Sequence, residues 1–317
     1  MSYLPPLPLE LQQVEYVKIY FHLQIKEYFE LPQWGLLQLR REFLQAIRTL
    51  DEWGSTSEAD QLKKVLQPPL SNDPHVRRQA QKPAPAFVIS CAPEQYGLFE
   101  PGQSIVLPVL FLGSGVLVVN AFVAMLQQLG QQGLYHGTGR FLLEAVESED
   151  ATGTRLMHWT GGEQSDFSAP LCDLYWFLER QQRLDEKLTL DVVSPLRLLH
   201  QQKPLFKVTF AELFRFVLRR VSSMLASHSG VEIIDNAQYY LDHAERVEVL
   251  GDRLKWQDWR TLRGEHRHQD FGGLLGSMEL SGESSAELFW VLQLGSLLQI
   301  GKGSSYGAGQ YRLRTHC

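Results

Sequence analysis

The chain opens with an alternation of apolar and polar residues in VEYVKIYFHLQIK, residues 14–26. Because every second side chain of a strand points to the same face, this segment predicts a half-buried β-strand. In the next segment, WGLLQLRREFLQAIRTL, the apolar residues recur at steps of three and four. That spacing is the period of an amphipathic helix. A strand followed by a helix is therefore expected at the start of the chain.

The same order of elements occurs twice along the chain. After a charged, proline-containing insertion at 51–83, the pattern predicts strand, strand, helix and strand up to about residue 150. Residues 151–186 are expected to connect the halves, and residues 187–317 repeat the whole series. Both halves thus have the order βαββαβ, which is the ferredoxin-like arrangement. We predict an α+β protein of two tandem ferredoxin-like (RRM-like) domains, the first at 1–150 and the second at 187–317.

A glycine-rich loop lies between the second helix and the last strand of each half. GLYHGTGRFLL at 133–143 and GSSYGAGQYRL at 303–313 share the spacing G-x-x-x-G-x-G, which indicates an internal duplication. A dinucleotide fingerprint follows a strand and opens a helix, whereas here a helix precedes and a strand follows. The spacing in GKGSSYGAG also departs from a Walker A loop. Neither kind of nucleotide site is therefore expected.

Composition limits the class of protein. The chain has 317 residues, 44% of them hydrophobic, and a net charge of −6, which argues against a uniformly basic nucleic-acid binder but leaves room for a local basic groove. Its cysteines, Cys91, Cys172 and Cys317, are far apart and lack CxxC spacing, so we expect a reducing, cytoplasmic location. The uncharged stretch 101–139 is interrupted by Pro108 and a glycine turn, which favours a core strand and helix over a membrane span.

Several segments together resemble one known family. They are the paired halves, the C-terminal GKGSSYGAGQYRL, the helix FRFVLRRVSSML after LTLDVVSPLRLL, and FGGLLGSMELSG before the last helix. This set resembles the CRISPR-associated endoribonuclease that processes precursor CRISPR RNA, a member of the RAMP superfamily. The resemblance covers both halves and is strongest from about residue 187. It implies an endoribonuclease without metal or cofactor, whose partners are CRISPR repeat RNA and crRNA together with CRISPR effector or adaptation complex proteins.

The reaction that the resemblance implies needs no metal, because RNA carries its own nucleophile. The 2′-hydroxyl attacks the adjacent phosphorus and leaves a cyclic phosphate and a 5′-hydroxyl, so the protein must align the attack, move protons and stabilise charge. The family often has a His or Lys in the first strand–helix region, where this chain has His22, with Lys18 and Lys26 nearby. His136, inside the first glycine loop, is the second catalytic candidate. Both histidines could instead be ordinary surface residues.

The predicted RNA contacts follow from glycine, cation and aromatic chemistry. Glycines adopt positive φ at little cost and can bring backbone N–H groups to a phosphate, although they also serve plain tight connections. Tyr306 could stack on a base, and paired arginines on the first helix of each half could neutralise phosphates or simply form a solvated face. The predicted contacts are Lys18, Lys26, Arg40, Arg41, Arg215, Arg219, Arg220, Arg263, His266, Arg267, His268, Gly301, Lys302, Gly303, Ser304, Ser305 and Tyr306.

Alternatives remain open at the level of sequence. The stretch EHRH, residues 265–268, supplies one Glu and two His, but no further ligand has a readable spacing, so no metal site is predicted. A non-cutting RAMP scaffold that holds guide RNA in an effector complex would carry the same glycine loops. A small-molecule enzyme using the cleft between the halves is the third possibility.

Overall fold

The computed structural model separates into two compact units. It describes residues 4–54, 56–69, 83–91, 93–160, 168–261 and 269–316. The first unit comprises Leu9–Phe177 with Ser223–Glu232, and the second comprises Met1–Pro8, Leu178–Ser222 and Ile233–Cys317. The domain boundaries at 1–150 and 187–317 remain a prediction, but the segment between them does more than connect, because residues 155–160 and 172–173 add strands to the first sheet.

The first unit is built on a six-stranded antiparallel sheet. Its strands are β1 (Glu15–Ile25), β3 (Phe87–Ile89), β5 (Ser104–Leu112), β6 (Phe141–Glu149), β7 (Arg155–Thr160) and β8 (Cys172–Asp173), while β2 (Phe29–Leu31) and β4 (Gly97–Phe99) form a separate pair. The order is β3-β5-β1-β6-β7, and β8 pairs with the start of β1. The first predicted strand therefore lies at the centre of the sheet.

One face of this sheet is covered by α1 (Leu39–Glu52), α2 (Thr56–Leu66) and α3 (Val119–Gln132). The short helix α4 (Leu174–Glu179) follows β8, and its Phe177 contacts Tyr16, which lies on the opposite face of β1. The predicted inward face of β1 is buried, and Phe21 stacks on Phe122 of α3 with 5.6 Å between ring centroids. Phe43 of α1 meets the same ring edge-on at 5.4 Å. Burial of each large apolar side chain contributes about 1.5–3 kcal/mol, so this aromatic cluster fixes both helices against the strand.

The apolar segment Gly113–Gln132 belongs to this core. It is 20 residues long with a mean hydropathy of 1.3, which is long and apolar enough to cross a bilayer, yet 56% of it is buried inside the protein. Phe122 and Leu126 are fully buried within the first unit. Packing of this kind is what a core helix requires, and it agrees with the core strand and helix expected from the sequence.

The second unit repeats the arrangement. Its strands are β9 (Lys187–Leu196), β10 (Leu199–His200), β11 (Lys203–Pro204), β12 (Val249–Asp252), β13 (Lys255–Thr261), β14 (Gln269–Ser281) and β15 (Tyr311–His316). Its helices are α6 (Ala237–Arg246), α7 (Gly282–Ser285), α8 (Phe289–Leu298) and most of α5 (Phe210–Ser229), whose last residues, from Ser223, belong to the first unit. The main sheet has the order β12-β14-β9-β15, and β13 also pairs with β14. In both sheets the last strand of the motif lies beside the first, which is the ferredoxin-like topology. The predicted fold class is confirmed.

Candidate functional site

The first glycine loop closes against the beginning of α1. Its three motif glycines have φ angles of 104°, 81° and 73°, and His136 between them has a φ of 54°. The N–H of Tyr135 donates to the carbonyl of Thr138 at 3.1 Å, and the N–H of Thr138 donates back at 3.0 Å. This tight turn leaves Gly137 and Thr138 exposed at its tip. The glycines are therefore required for the turn that positions His136.

His136 lies between a buried carboxylate and an arginine. Its Nδ1 is 3.5 Å from Oε1 of Glu42, whose side chain is only 6% exposed, and the backbone N–H of His136 donates to the same oxygen at 3.4 Å. Its Nε2 is 3.5 Å from Nη2 of Arg41, which also contacts Glu42 at 2.5 Å. A carboxylate beside Nδ1 favours the tautomer with the proton on Nδ1. Nε2 then carries the lone pair, which faces the N–H of Arg41, and it can accept a proton once Arg41 turns away from it.

The surroundings of His136 favour an anion. Arg40 and Arg41 lie in the first turn of α1 and are both exposed. Arg140, which follows the loop directly, is also exposed. The arrangement therefore combines a proton acceptor with cations that can balance a phosphate.

Sequence reasoning missed Glu42, the buried member of this cluster. It is a charged residue on the buried side of α1, and a carboxylate in an otherwise apolar helix face is the signal that would have found it. Glu42 and His136 are 94 positions apart in the sequence, which hid their contact.

His22, the other catalytic candidate, lies on the opposite face of the sheet from α3. Its neighbour Phe21 packs on α3, and alternation along the strand points His22 away from the helices. Nε2 of His22 is 3.1 Å from Oε2 of Glu147, which is also 3.6 Å from Arg155. The structure thus gives His22 a carboxylate partner in an ion-pair network on the sheet.

The two lysines near His22 belong to the same polar face. Lys18 Nζ is 2.7 Å from Oε1 of Glu149, so its charge is balanced within the protein. Lys26 is exposed and its Nζ donates to Oε1 of Gln24 at 2.5 Å. Of this pair, Lys26 is the more available for RNA, and Lys18 would first have to leave its carboxylate.

The motif glycines of the second loop have the expected positive φ angles, but most of the loop's backbone N–H groups donate to carbonyls of the protein itself. Its three motif glycines have φ angles of 85°, 94° and 67°, which parallel those of the first loop. The N–H groups of Lys302 and Gly309 donate to the carbonyls of Arg197 and Pro195 at 2.9 and 3.0 Å. Further amides bond within the turn itself, such as that of Tyr306 to the carbonyl of Gly303 at 2.9 Å. The loop therefore mainly stabilises its own packing.

Burial corrects three of the predicted RNA contacts in this loop. Ser304, Ser305 and Tyr306 are only 5%, 4% and 5% exposed. A buried ring cannot stack on a base, so the prediction for Tyr306 is wrong in this conformation, and the two serines are equally inaccessible. Within residues 301–309 the exposed positions are Lys302 and Gly303, with Gly301 partly buried. This short exposed turn is the part of the loop that RNA can reach.

Arg220 supports the loop from within. Its Nε and Nη2 donate to the carbonyl of Leu298 at 3.2 Å, and Nη2 also donates to Oγ of Ser305 at 3.2 Å. Burial lowers the pKa of its guanidinium to about 10. The predicted RNA contact is therefore corrected to a structural role. Arg215 is exposed and lies 3.1 Å from Glu245, while Arg219 is exposed and stays a candidate contact.

Four of the predicted contacts, Arg263, His266, Arg267 and His268, lie outside the described residues. The metal alternative at residues 265–268 falls in the same stretch. Across the described ranges, no group of three or more His, Cys, Asp or Glu side chains is placed to hold a metal ion.

Comparison with known proteins gives matches of sequence and of fold. Residues 190–311 match the family described as CRISPR-associated endoribonuclease Cas6, and residues 11–168 match a family described as an N-terminal domain. A Thermus thermophilus Cas6 product complex has a TM-score of 0.52 at 14% identity, covering 94% of this chain and 99% of that chain. A chain of a partial Cas6-RT-Cas1–Cas2 complex has a TM-score of 0.60 at 12% identity, covering 96% of this chain and 46% of that chain.

No curated protein sequence matches the chain. The sequence match to the Cas6 endoribonuclease family thus lies in the second unit, at residues 190–311. Both units share their ferredoxin-like fold with Cas6 structures.

Proposed function

We propose that this chain is a Cas6-type protein that binds CRISPR repeat RNA in the cytoplasm and cuts precursor transcripts into guide crRNAs without metal or cofactor. The observation that carries the proposal is the position of His136 between buried Glu42 and exposed Arg41. Proteins of CRISPR effector or adaptation complexes are proposed as further partners, and the similarity to a Cas6-RT-Cas1–Cas2 complex supports the second kind.

The proposed chemistry is attack by the RNA on itself. Nε2 of His136 accepts the proton of the 2′-hydroxyl, the 2′ oxygen bonds to phosphorus, and the bond from phosphorus to the 5′ oxygen breaks. The departing 5′ oxygen takes up a proton from water and becomes a 5′-hydroxyl, and the imidazolium afterwards returns its proton to solvent. Arg40 and Arg41 balance the negative charge on phosphorus, and Glu42 stabilises the imidazolium until then.

His22 is the less suitable proton carrier. Two partly exposed carboxylates lie near His22, Glu147 at its imidazole and Glu149 further along the strand, so a phosphate there would meet more negative charge than at His136, where the nearby carboxylate, Glu42, is buried. Arg155 lies within 3.6 Å and 3.9 Å of those two carboxylates and balances them internally. We therefore assign the proton transfer to His136.

The reaction type can be tested with two RNAs. Full-length protein and repeat RNA in excess EDTA are expected to yield a product with a cyclic phosphate end, because the nucleophile and proton acceptor need no metal. The same RNA with a 2′-deoxy sugar at the cut site should bind and stay intact. Mass spectrometry of the product ends is the measurement.

The other outcomes of this experiment are also informative. Binding without product from either RNA would contradict cleavage and favour the non-cutting scaffold. No binding of either RNA would contradict both RNA functions and favour a small-molecule substrate.

The arginines of α1 are expected to contribute to RNA affinity through phosphates. Changing Arg41→Gln should reduce the slope of log affinity against log salt by about 0.7 for each single-strand phosphate that the protein no longer neutralises. Arg48→Gln is the matched control, since Arg48 is exposed further along the same helix. Equal slopes for the two variants, measured by fluorescence anisotropy over a salt series, would contradict a phosphate site at the start of α1.

A further inference from the structure

A basic surface hairpin follows the first strand of the second unit. Residues 192–211 contain no Asp or Glu, although the whole chain has a net charge of −6. Strands β10 and β11 pair across a turn in which Gln201 and Gln202 have positive φ angles of 49° and 65°. Two successive non-glycine residues at positive φ are strained, and such strain often accompanies a functional surface. Lys203 and Lys207 are exposed on this segment.

An exposed aromatic pair lies beside this hairpin. The ring of Phe206 is 57% exposed and its centroid is 4.6 Å from that of Trp256 on β13, with 62° between the planes. The indole N–H of Trp256 donates to Oδ1 of Asp258 at 2.7 Å. A Cβ at Gly272 on the facing strand would come within 2.7 Å of the indole, so this glycine makes room for the ring. The pair is thus held in place while Phe206 remains open to solvent.

Exposed lysines lie close to the pair in sequence. Lys203 and Lys207 are on either side of Phe206, and Lys255 precedes Trp256. Of the two nearby acids, Asp258 accepts the indole hydrogen bond and Asp252 accepts the N–H of Leu254 at 2.9 Å. Exposed aromatic rings among cations are the combination with which proteins bind single-stranded nucleic acid, because bases stack on the rings while cations follow the phosphates.

The pair also lies near the exposed turn of the second glycine loop. The carbonyl of Arg197, at the end of β9, accepts the N–H of Lys302. Leu196 pairs with Leu274 of β14, and Leu274 pairs with Trp256 of β13. Two strand spacings, about 10 Å, therefore separate the end of β9 from Trp256. A short single-stranded segment can span this distance.

We propose that Phe206 and Trp256, with exposed Lys203 and Lys207 on either side of Phe206 in the same segment, form a base-stacking site for an unpaired nucleotide of the processed RNA. The inference rests on the proposed function, and it adds a contact in the second unit that is separate from the histidine cluster of the first. A protein partner could also cover an exposed phenyl ring. The acid-free segment around Phe206 favours a polyanion instead.

The test uses full-length protein and a repeat RNA made uncleavable by a 2′-deoxy sugar at the cut site. Phe206→Leu, which keeps an apolar side chain but removes the ring, is expected to weaken binding about 5- to 100-fold by fluorescence anisotropy. Phe206→Tyr should restore most of the affinity. Trp53→Leu is the matched control, because Trp53 is a 67% exposed aromatic in the first unit.

A set of RNAs with one abasic nucleotide each then locates the contact. The wild-type protein should bind the RNA less tightly when the abasic site is at one or two of the unpaired positions. Phe206→Leu should bind those abasic RNAs as well as it binds the intact RNA, because losing the base and losing the ring remove the same interaction. Equal affinities for wild type and Phe206→Leu would overturn the site, as would equal weakening by Phe206→Tyr. If Phe206→Leu weakens RNA binding but the wild-type protein cuts no RNA, the cleavage proposal fails while this site stands. If the wild-type protein binds no RNA, both proposals fail.

Discussion

Changing His136→Ala is expected to slow cleavage of repeat RNA about 10²- to 10⁴-fold, the usual contribution of a positioned proton acceptor. The effect should appear in the single-turnover rate with RNA saturating, because the variant removes the group that accepts the 2′-hydroxyl proton. RNA affinity should change little, since Arg40 and Arg41 remain at the start of α1. Gel assays under single-turnover conditions, with affinity measured separately, are the readouts.

His22→Ala is the matched control for this experiment. Its imidazole has a similar exposure of 22% and also contacts a carboxylate, Glu147, but it lies on the outer face of the sheet. We expect near wild-type cleavage. A large loss in His22→Ala with none in His136→Ala would reverse the assignment, and full activity in both variants would remove histidine from the proposed chemistry.

Changing Gly309→Ala is expected to destabilise the protein by about 3 kcal/mol or more, at the extreme end of single substitutions. A Cβ at this position would overlap the carbonyl oxygen of Ile300, and the backbone has a φ of 67°. The carbonyl of Ile300 cannot move away without disturbing a neighbouring backbone hydrogen bond, which the N–H of Ile300 donates to the carbonyl of Gly309 at 3.2 Å. Thermal unfolding of the purified variant is the measurement.

Gly303→Ala separates steric crowding from backbone strain. Gly303 also has a positive φ, of 85°, but its Cβ would meet Ala308 at 3.3 Å, an adjustment that a methyl group can accommodate. This variant should lose only about 1 kcal/mol, the cost of positive φ for an L-residue. Equal melting temperatures for the two variants would show that the tight packing around Gly309 does not contribute to stability.

The sequence predicted those features that are encoded locally. The alternation in β1 correctly indicated its buried face, because side-chain direction in a strand depends only on position parity. The matched glycine spacing correctly indicated equivalent turns, and all six motif glycines have positive φ. The order of elements then determined the ferredoxin-like topology of both sheets. The helix α2, inside the supposed insertion at 51–83, was missed because its short amphipathic pattern is interrupted by charges.

The candidate site depends on contacts that local pattern cannot reveal. Glu42 and His136 meet only after the sheet forms, and the sequence offered no reason to pair them. Arg220 was predicted as an RNA contact, with a solvated face as the alternative, but the carbonyl at the end of α8 and Ser305 hold it inward. The same long-range packing buries Tyr306. The accessibility of the candidate residues could therefore be determined only from the three-dimensional structure.

The two glycine bends share positive φ angles at their motif glycines yet differ between those glycines and in what surrounds them. In the first copy His136 also has a positive φ and the tip of the turn is open, whereas in the second Ser304–Tyr306 form a 3-10 turn, the corresponding tyrosine is enclosed and an arginine braces the turn. Solvent therefore reaches the tip of the first bend, while most of the second bend is packed inside its unit. A search of related sequences for the glycine spacing alone would not distinguish the two loops. Their solvent exposure would distinguish them.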